Sequence, residues 1–175
     1  MSSIAVIIAA AGSGERFGGA LPKQYLQINN QMILTQTMEK FISHPDTHLV
    51  IASIGGEHLP LYNQATHNLK DPSKKLLAPV FGENERHLSV LNALNALAQH
   101  KPDIVLIQDG CRPFVSHELI SSIIEATKKH GAAIPLTPSF ETLKEVRDDF
   151  ICKTLDRSKI YKTQTPQGFD FQVML

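Results

Sequence analysis

The sequence has only two cysteines, no excess of either charge and no long hydrophobic run. Cys111 and Cys152 have no CxxC spacing, and no signal-peptide pattern is present, so we expect a protein of the reducing cytoplasm. Lys plus Arg and Asp plus Glu both number 17, which argues against broad electrostatic attraction to nucleic acid or to a membrane surface. The apolar N-terminal stretch is too short to be a transmembrane span. Any anion-binding site must therefore be local.

Metal-ligating patterns are missing as well. The eight histidines occur singly, and none lies in an HExxH arrangement. His44 and His48 have helical spacing, but Pro45 lies between them. Scattered surface histidines are therefore expected rather than a zinc site.

The composition is that of a globular protein, with 42% hydrophobic and 19% charged residues, and the length fits one domain. Apolar runs alternate with helical patterns. The predicted strands are Ile4–Ala11, Leu49–Ile54, Leu76–Phe81, Asp103–Gln108 and Ala132–Leu136. The predicted helices are residues 30–44 capped by Asn30, 60–68, 85–100 with Leu91 in its apolar stripe, Ser116 to Gly131, and a helix start at 168–175. This alternation predicts an α/β fold with a mostly parallel, doubly wound sheet flanked by helices.

The pattern changes after residue 136. Thr142–Val146 and Phe150–Leu155 are short β-like segments separated by the charged sequence Arg147-Asp148-Asp149. They predict a hairpin, within a β-arm of approximately residues 138–163.

The loop after the first strand combines small residues with two cations, Arg16 and Lys23. A dinucleotide fingerprint is excluded because Phe17 stands where the third glycine is needed, and a Walker loop because the chain has no Gly-Lys pair. Small residues let backbone N–H groups approach an anion, and the two cations supply charge for a phosphate. Ligands of doubly wound sheets bind beyond the carboxyl ends of the strands, where this loop and Asp109 are both predicted. The sequence therefore predicts a phosphate site there.

At this point the residues resemble a family, the 2-C-methyl-D-erythritol 4-phosphate cytidylyltransferases. The similar segments, in order, are Ala9–Arg16 with Leu21–Leu26, Gly82–Val90, Gln108–Val115, Thr154–Arg157 and Thr163–Phe169. The resemblance implies a Rossmann-like nucleotidyltransferase fold with a protruding β-arm. It also implies transfer of CMP from CTP to 2-C-methyl-D-erythritol 4-phosphate, with release of pyrophosphate, in the non-mevalonate isoprenoid pathway.

The resemblance further implies roles for individual residues. Arg16 and Lys23 would stabilise the transition state, and Asp109 would lie near the ribose and a bound Mg²⁺. The nucleotide would be lined by Ala10, Ala11, Gly12, Gly14, Glu83, Asn84, Ser89 and Asp109. The sugar phosphate would be positioned by Thr142, Arg157 and Thr165. In this family the arm crosses to a partner subunit, so a homodimer is implied and Arg157 can serve the neighbouring active site.

Such a reaction needs no protein general base. The nucleophile is a phosphate whose second pKa is ~6, so it is already mostly ionised at neutral pH. Catalysis then consists of positioning and charge neutralisation by cations and by Mg²⁺, held by the triphosphate and a carboxylate such as Asp109.

Several of these residues have structural alternatives. Asp109 could be a turn residue before Pro113, Arg112 its ion-pair partner, and Arg86 a solvated residue of a first helical turn. Cys111 has no nearby histidine and is expected to be a packed thiol rather than a nucleophile.

The chain also departs from the family pattern at its end. The family continues past residue 175, so we expect the nucleotidyltransferase domain of residues 1–175 to be incomplete. We hypothesise that a cyclodiphosphate synthase domain is fused downstream. Two rival functions remain open: a cytidylyltransferase for another sugar-alcohol phosphate, such as ribitol 5-phosphate, and a non-catalytic nucleotide-binding module.

Overall fold

The computed structural model of the protein describes residues 2–14, 18, 21–83 and 85–175. The strands in this part are β1 (Ile4–Ala10), β2 (Gln27–Ile28), β3 (Gln31–Met32), β4 (Leu49–Ile54), β5 (Val80–Phe81), β6 (Ile104–Asp109), β7 (Ala132–Ala133), β8 (Leu136–Pro138), β9 (Lys144–Arg147), β10 (Phe150–Thr154), β11 (Tyr161–Thr163) and β12 (Gln167–Asp170). The helices are α1 (Ile33–Ile42), α2 (Leu59–Thr66), α3 (Arg86–Leu97), α4 (His117–His130) and α5 (Phe171–Met174). No helix in this part of the chain is long and apolar enough to cross a membrane.

The central sheet has the strand order β5-β4-β1-β6-β12-β7. Strands β5, β4, β1 and β6 run parallel, whereas β12 is antiparallel to both of its neighbours. Strand β1 reads as a continuous apolar run because helices cover both faces of the sheet. Ile4, Val6 and Ile8 face one core cluster, while Ala5 and Ile7 face the other. The predicted mostly parallel α/β sheet is confirmed.

The long helices follow their sequence signals. Leu34, Met38 and Phe41 form the predicted apolar stripe of α1 and are fully buried. In α4 the Ser116 hydroxyl accepts a hydrogen bond from the N–H of Leu119 at 3.2 Å, as an N-cap does. Gly131 ends α4 in the left-handed region, with a φ of 80°.

The predicted helix start at Asn30 is wrong. Asn29 and Asn30 have φ values of 53° and 62° and form the turn between β2 and β3. Asparagine tolerates this left-handed conformation, which hairpin turns require. Helix α1 therefore begins at Ile33.

Two predicted strands are shorter than expected because prolines interrupt them. In the predicted strand 76–81 only Val80–Phe81 joins the sheet, after Pro79, while Leu76 makes a single bridge to Val50. The predicted strand 132–136 is divided at Pro135 into β7 and β8, and β8 pairs with β11 outside the central sheet. Proline has no N–H to donate to a neighbouring strand.

The predicted helix start at Gly168 is also wrong, because residues 167–170 form β12 and the helix begins at Phe171. A Cβ atom on Gly168 would lie 2.9 Å from Ile123 Cγ2 and still closer to Thr127 Oγ1. The missing side chain lets the strand lie directly against α4.

Two side chains differ from their predicted exposure. Leu91, predicted in the apolar stripe of α3, is 42% exposed, and His44, predicted at the surface, is only 1% exposed.

The hairpin formed by β9 and β10 lies where the sequence predicts it, and every residue of both strands is exposed. Asp148 and Asp149 form its turn with positive φ values.

Candidate active site

A cavity of about 860 Å³ opens at the carboxyl ends of the parallel strands. The register places Ala9 of β1 between Ser53 of β4 and Asp109 of β6. The segments that follow β1, β4, β5 and β6 all contribute lining residues. The cavity thus occupies the position where doubly wound sheets bind ligands.

Most of the predicted nucleotide-binding residues line this one cavity. They are Ala10, Ala11, Gly12, Gly14, Glu83, Ser89 and Asp109, together with the predicted catalytic residue Lys23. Arg16 and Asn84 lie outside the described residues. Their predicted roles therefore stay predictions.

The loop after β1 is held from below by Gln24, which is buried. Its side-chain amide donates to the carbonyl oxygen of Ala10 at 2.8 Å and to that of Gly12 at 2.9 Å. Gln24 therefore holds two carbonyl groups of this loop in place. Small residues let backbone N–H groups approach an anion closely.

Lys23 and Gln24 begin a single turn of 3-10 helix that ends at Tyr25. Tyr25 is 2% exposed and anchors this turn in the core. Burial raises the pKa of Tyr25, and the nearby Tyr62 and Glu57 raise it further. The phenol of Tyr25 therefore stays neutral at physiological pH. Because buried Tyr25 fixes the end of the turn, Lys23 at its start lies at the cavity.

Ser89 shapes the opposite wall. Its hydroxyl accepts a hydrogen bond from the N–H of Glu83 at 2.9 Å and donates to the carbonyl of the same residue at 3.0 Å. Gly82, just before, leaves no room for a side chain: a Cβ there would lie 2.6 Å from Ser89 Oγ and 2.7 Å from Ser53 Oγ. Gly82 and Glu83 are consequently held close to Ser53 of β4 and Ser89 of α3.

Asp109 carries the carboxylate on the β6 side of the cavity, and two guanidinium groups hold it. Arg86 donates from Nη2 to Oδ1 at 3.0 Å, and Arg112 donates from Nε to Oδ2 at 2.9 Å. The predicted ion pair of Arg112 is confirmed. Arg86 is an exposed residue of the first turn of α3, as predicted, but it also lines the cavity and binds Asp109.

Cys111 is exposed and lines the cavity, so the prediction of a packed thiol is wrong. It follows β6 on the turn that starts at Asp109 and opens toward the cavity. It also borders a second, smaller cavity of about 420 Å³ that shares Lys23 with the first.

The residues predicted to position the sugar phosphate do not line the main cavity. Thr142 is exposed, and Arg157 donates a long hydrogen bond of 3.4 Å to the carbonyl of Phe140. Thr165 is buried beside the cis peptide bond to Pro166, and its hydroxyl finds no partner among the described residues. Gln164, its neighbour, accepts a hydrogen bond from Arg112.

Sequence reasoning missed the lining residues Glu57 and Gln24 and the contact made by Arg86. Glu57 had one usable signal, since it directly follows the Gly55-Gly56 pair that ends β4 at the ligand edge. No sequence signal predicted the contacts of Gln24 and Arg86, because their partners Ala10 and Asp109 are 14 and 23 residues away in sequence.

The chain matches the family model described as IspD: 2-C-methyl-D-erythritol 4-phosphate cytidylyltransferase over residues 4–175. It is 43% identical over 175 residues to a Bifunctional enzyme IspD/IspF of Rhodospirillum rubrum, covering 100% of this chain and 44% of that protein. It is 40% identical over 171 residues to the enzyme of the same name from Paramagnetospirillum magneticum, covering 98% and 43%. The chain therefore spans less than half the length of these curated relatives.

Solved structures of the same kind superpose on the chain. The 4-diphosphocytidyl-2C-methyl-D-erythritol synthase of Anaerococcus prevotii has a TM-score of 0.82 at 29% identity, covering 98% of this chain and 73% of that one. The 2-C-methyl-D-erythritol 4-phosphate cytidylyltransferase of Francisella tularensis has a TM-score of 0.76 at 36% identity, covering 97% and 73%.

Proposed function

The chain belongs to the 2-C-methyl-D-erythritol 4-phosphate cytidylyltransferase family, and from this premise we propose that it transfers CMP from CTP to 2-C-methyl-D-erythritol 4-phosphate. Pyrophosphate leaves, and the product is 4-diphosphocytidyl-2-C-methyl-D-erythritol. The observation that carries the proposal is the single cavity that the loop after β1 shares with Lys23 and Asp109 at the carboxyl edge of the sheet.

The cavity's residues suit an attack by one phosphate on another. The acceptor's phosphate is the nucleophile, and it approaches the α-phosphorus of CTP in line while pyrophosphate departs. No side chain has to remove a proton, since the acceptor phosphate is mostly ionised at neutral pH. Lys23 contributes a compact positive charge, and the backbone of Ala11–Gly14 contributes N–H dipoles where negative charge accumulates.

We propose Mg²⁺ as the metal that accompanies CTP. No group of three potential protein ligands occurs among the described residues, which is compatible with Mg²⁺ because it usually takes one or two carboxylates plus substrate phosphates. Asp109 is a carboxylate of the cavity with the donor chemistry that fits. When bound, the metal ion supplies charge neutralisation for the phosphates.

We also propose a homodimer in which the arm of one subunit reaches the other. Two-stranded hairpins are marginal on their own in water, and this one exposes Val146, Phe150 and Ile151. Arg157 and Thr142 of the arm stand apart from their own cavity, which supports a role at the partner's site.

The relatives named bifunctional enzymes lead to a further proposal about the gene. Since this chain aligns with 43% or 44% of those proteins, we propose that its reading frame also encodes a second domain like the IspF part that their name gives, which would be the cyclodiphosphate synthase hypothesised from the sequence. Sequencing the locus past codon 175 tests this, and a stop codon at that point would refute it.

The activity is tested by measuring pyrophosphate release from CTP and Mg²⁺ with 2-C-methyl-D-erythritol 4-phosphate or with ribitol 5-phosphate. We expect release with the first acceptor. Release with ribitol 5-phosphate alone would assign the other sugar-alcohol class, and CTP binding without release would indicate a non-catalytic module.

A substitution of Lys23 tests whether this side chain acts in the transition state. Lys23→Ala should lower kcat by about 100-fold while CTP affinity changes much less, since its charge acts mainly in the transition state. Lys128→Ala, which removes an exposed lysine of α4, is the matched control. Equal losses in kcat and CTP affinity would mean that Lys23 only binds the ground state.

A further inference from the structure

An ion pair joins the two side walls of the main cavity. Arg86 is the first residue of α3 and directly follows the loop after β5. It donates from Nη2 at 3.0 Å and from Nε at 3.3 Å to the same oxygen of Asp109, at the end of β6. In the sheet, β4 and β1 lie between these two walls. The contact therefore crosses the end of β1, where the phosphate-binding loop starts.

The second oxygen of Asp109 is fixed from the other side. Arg112 donates to it from Nε at 2.9 Å. Arg112 is held in turn by Gln164, which accepts from its Nη1, and by Gln108, which donates to its carbonyl at 2.9 Å. Rotation of the Asp109 carboxylate would break a bond on either side, so the two arginines together fix its orientation.

The residues just before Arg86 are held by hydrogen bonds and by close packing. Ser89, one helical turn along α3, holds both the N–H and the carbonyl of Glu83. Gly82 is packed against Ser53 and Ser89 without room for a Cβ. Gly82 and Glu83 are therefore held against α3, the helix that Arg86 begins.

An exposed ion pair usually contributes little, because solvent screens it and side-chain entropy opposes it. The Arg86–Asp109 pair differs in its geometry. Two N–H groups of one guanidinium converge on one oxygen, and the Asp109 side chain is only 26% exposed. Two donors on one oxygen restrict where the half-exposed guanidinium can lie, in addition to the attraction between the charges.

We propose that Arg86 is a positioning residue for the nucleotide: it acts through Asp109, whose carboxylate it orients while tying the loop before α3 to the end of β6. The proposal rests on the proposed function, since the nucleotide is CTP. Arg86 does not have to touch the nucleotide to act in this way.

The test is a double-mutant cycle on CTP affinity, measured by calorimetry with Mg²⁺. Arg86→Met should weaken CTP binding by about tenfold in the parent protein, the usual scale for an outer partner of a ligand-binding group. In the Asp109→Ala background the same change should have little effect, because alanine has no side-chain oxygen to accept from the guanidinium. Arg86→Lys, which keeps the charge but loses the fork, should recover part of the affinity.

Other outcomes overturn the inference. Equal weakening in both backgrounds would mean that Arg86 contacts the nucleotide itself, and no weakening in either would mean an inert surface pair. His87→Ala is the local control, since it removes an exposed neighbour on the same turn that lies beside Glu85. It should leave CTP affinity unchanged.

A second measurement needs no nucleotide. In the free protein, the Nε–H proton of Arg86 should be protected from solvent exchange in NMR spectra, and Asp109→Ala should remove that protection. An unchanged exchange rate would refute the ion pair.

If the parent protein does not bind CTP at all, the proposed function fails. Parent binding that Arg86→Met leaves intact overturns only the role of Arg86.

Discussion

At the scale of single residues, Gln24 has the most clearly defined task in the site. Its amide group gives one N–H to Ala10 and the other to Gly12, and it is 6% exposed. Both acceptors are backbone carbonyls of the loop that we propose to bind phosphate. A side chain with acceptor oxygens in place of the amide nitrogen would turn two attractions into two repulsions.

Gln24→Glu should therefore destabilise the protein by roughly 1–3 kcal/mol and weaken CTP binding. The loss should be greatest at high pH, where the glutamate is ionised. It should shrink as the pH falls, because the protonated acid regains one donor. Urea unfolding at several pH values measures the loss of stability and its pH dependence, and calorimetric titration with CTP measures the affinity.

Gln27→Glu is the matched control, since Gln27 is an exposed glutamine of β2. It should change stability by less than about 0.5 kcal/mol. Stability of the Gln24→Glu protein equal to that of the control at pH 8 would show that the two carbonyl contacts contribute nothing.

Residues of this kind mark the limit of prediction from the sequence. The loop after β1 and Asp109 could be assigned to one edge because parallel strands end together. The contacts of Gln24 and Arg86 could not, because both depend on how segments distant in sequence meet. From the sequence alone, the polar side chains of Gln24 and Arg86 are equally typical of solvated surface residues.

At the scale of elements, the sequence is informative where a pattern is long. Helix α4 was predicted nearly to its ends, because its apolar stripe repeats over several turns and both of its caps are present. The apolar stripe of α1 located that helix as well, but its predicted start at Asn30 was wrong. Strand β12 was not, because it has four residues and pairs with β6, about 60 residues earlier. Its assignment depends on the space that Gly168 leaves against α4.

The junction of α1 and α4 depends on a histidine that the sequence placed at the surface. The His44 ring lies 3.0 Å from Ser121 Oγ of α4, and its Nδ1 accepts the N–H of Asp46 at 3.2 Å. With Nδ1 occupied as an acceptor, the neutral ring carries its proton on Nε2. Burial lowers the pKa of His44, and the nearby His117 lowers it further.

This depressed pKa predicts an acid-sensitive stability. Above pH ~6.5 His44 is neutral in both folded and unfolded chains, so its contribution is fully present. As the pH falls from there through the lower pKa of the folded state, the unfolded chain binds the proton first, and stability declines by up to about 1.4 kcal/mol per pH unit. Urea unfolding of the parent and His44→Gln proteins between pH 5 and 8 measures it.

His44→Gln should be less stable at pH 8 but should lose less stability on acidification. His100→Gln, which removes an exposed imidazole, is the control. Parallel stability curves for the parent and His44→Gln proteins would rule out His44 as the source of the acid sensitivity.

At the scale of the whole molecule, the arm is the part that a single chain leaves unexplained. Strands β9 and β10 are exposed along their whole length. Arg157, which follows β10, donates a hydrogen bond to the carbonyl of Phe140 and does not line the cavity that contains Lys23. If subunits exchange arms, each active site draws Lys23 and Arg157 from different chains.

Mixing two inactive variants tests this arrangement directly. Lys23→Ala and Arg157→Ala proteins should each have little activity, but in a 1:1 mixture after subunit exchange half of the dimers are mixed. One site of each mixed dimer then has both side chains intact, so activity should return to about a quarter of the parent value. If Arg157 serves its own chain, every site stays defective and no activity returns.

The control is a mixture of Lys23→Ala protein with Lys23→Ala, Arg157→Ala protein, in which no site is intact under either arrangement. Recovery in the first mixture alone would establish that the two subunits share their sites, because only an exchanged arm can place an intact Arg157 beside an intact Lys23.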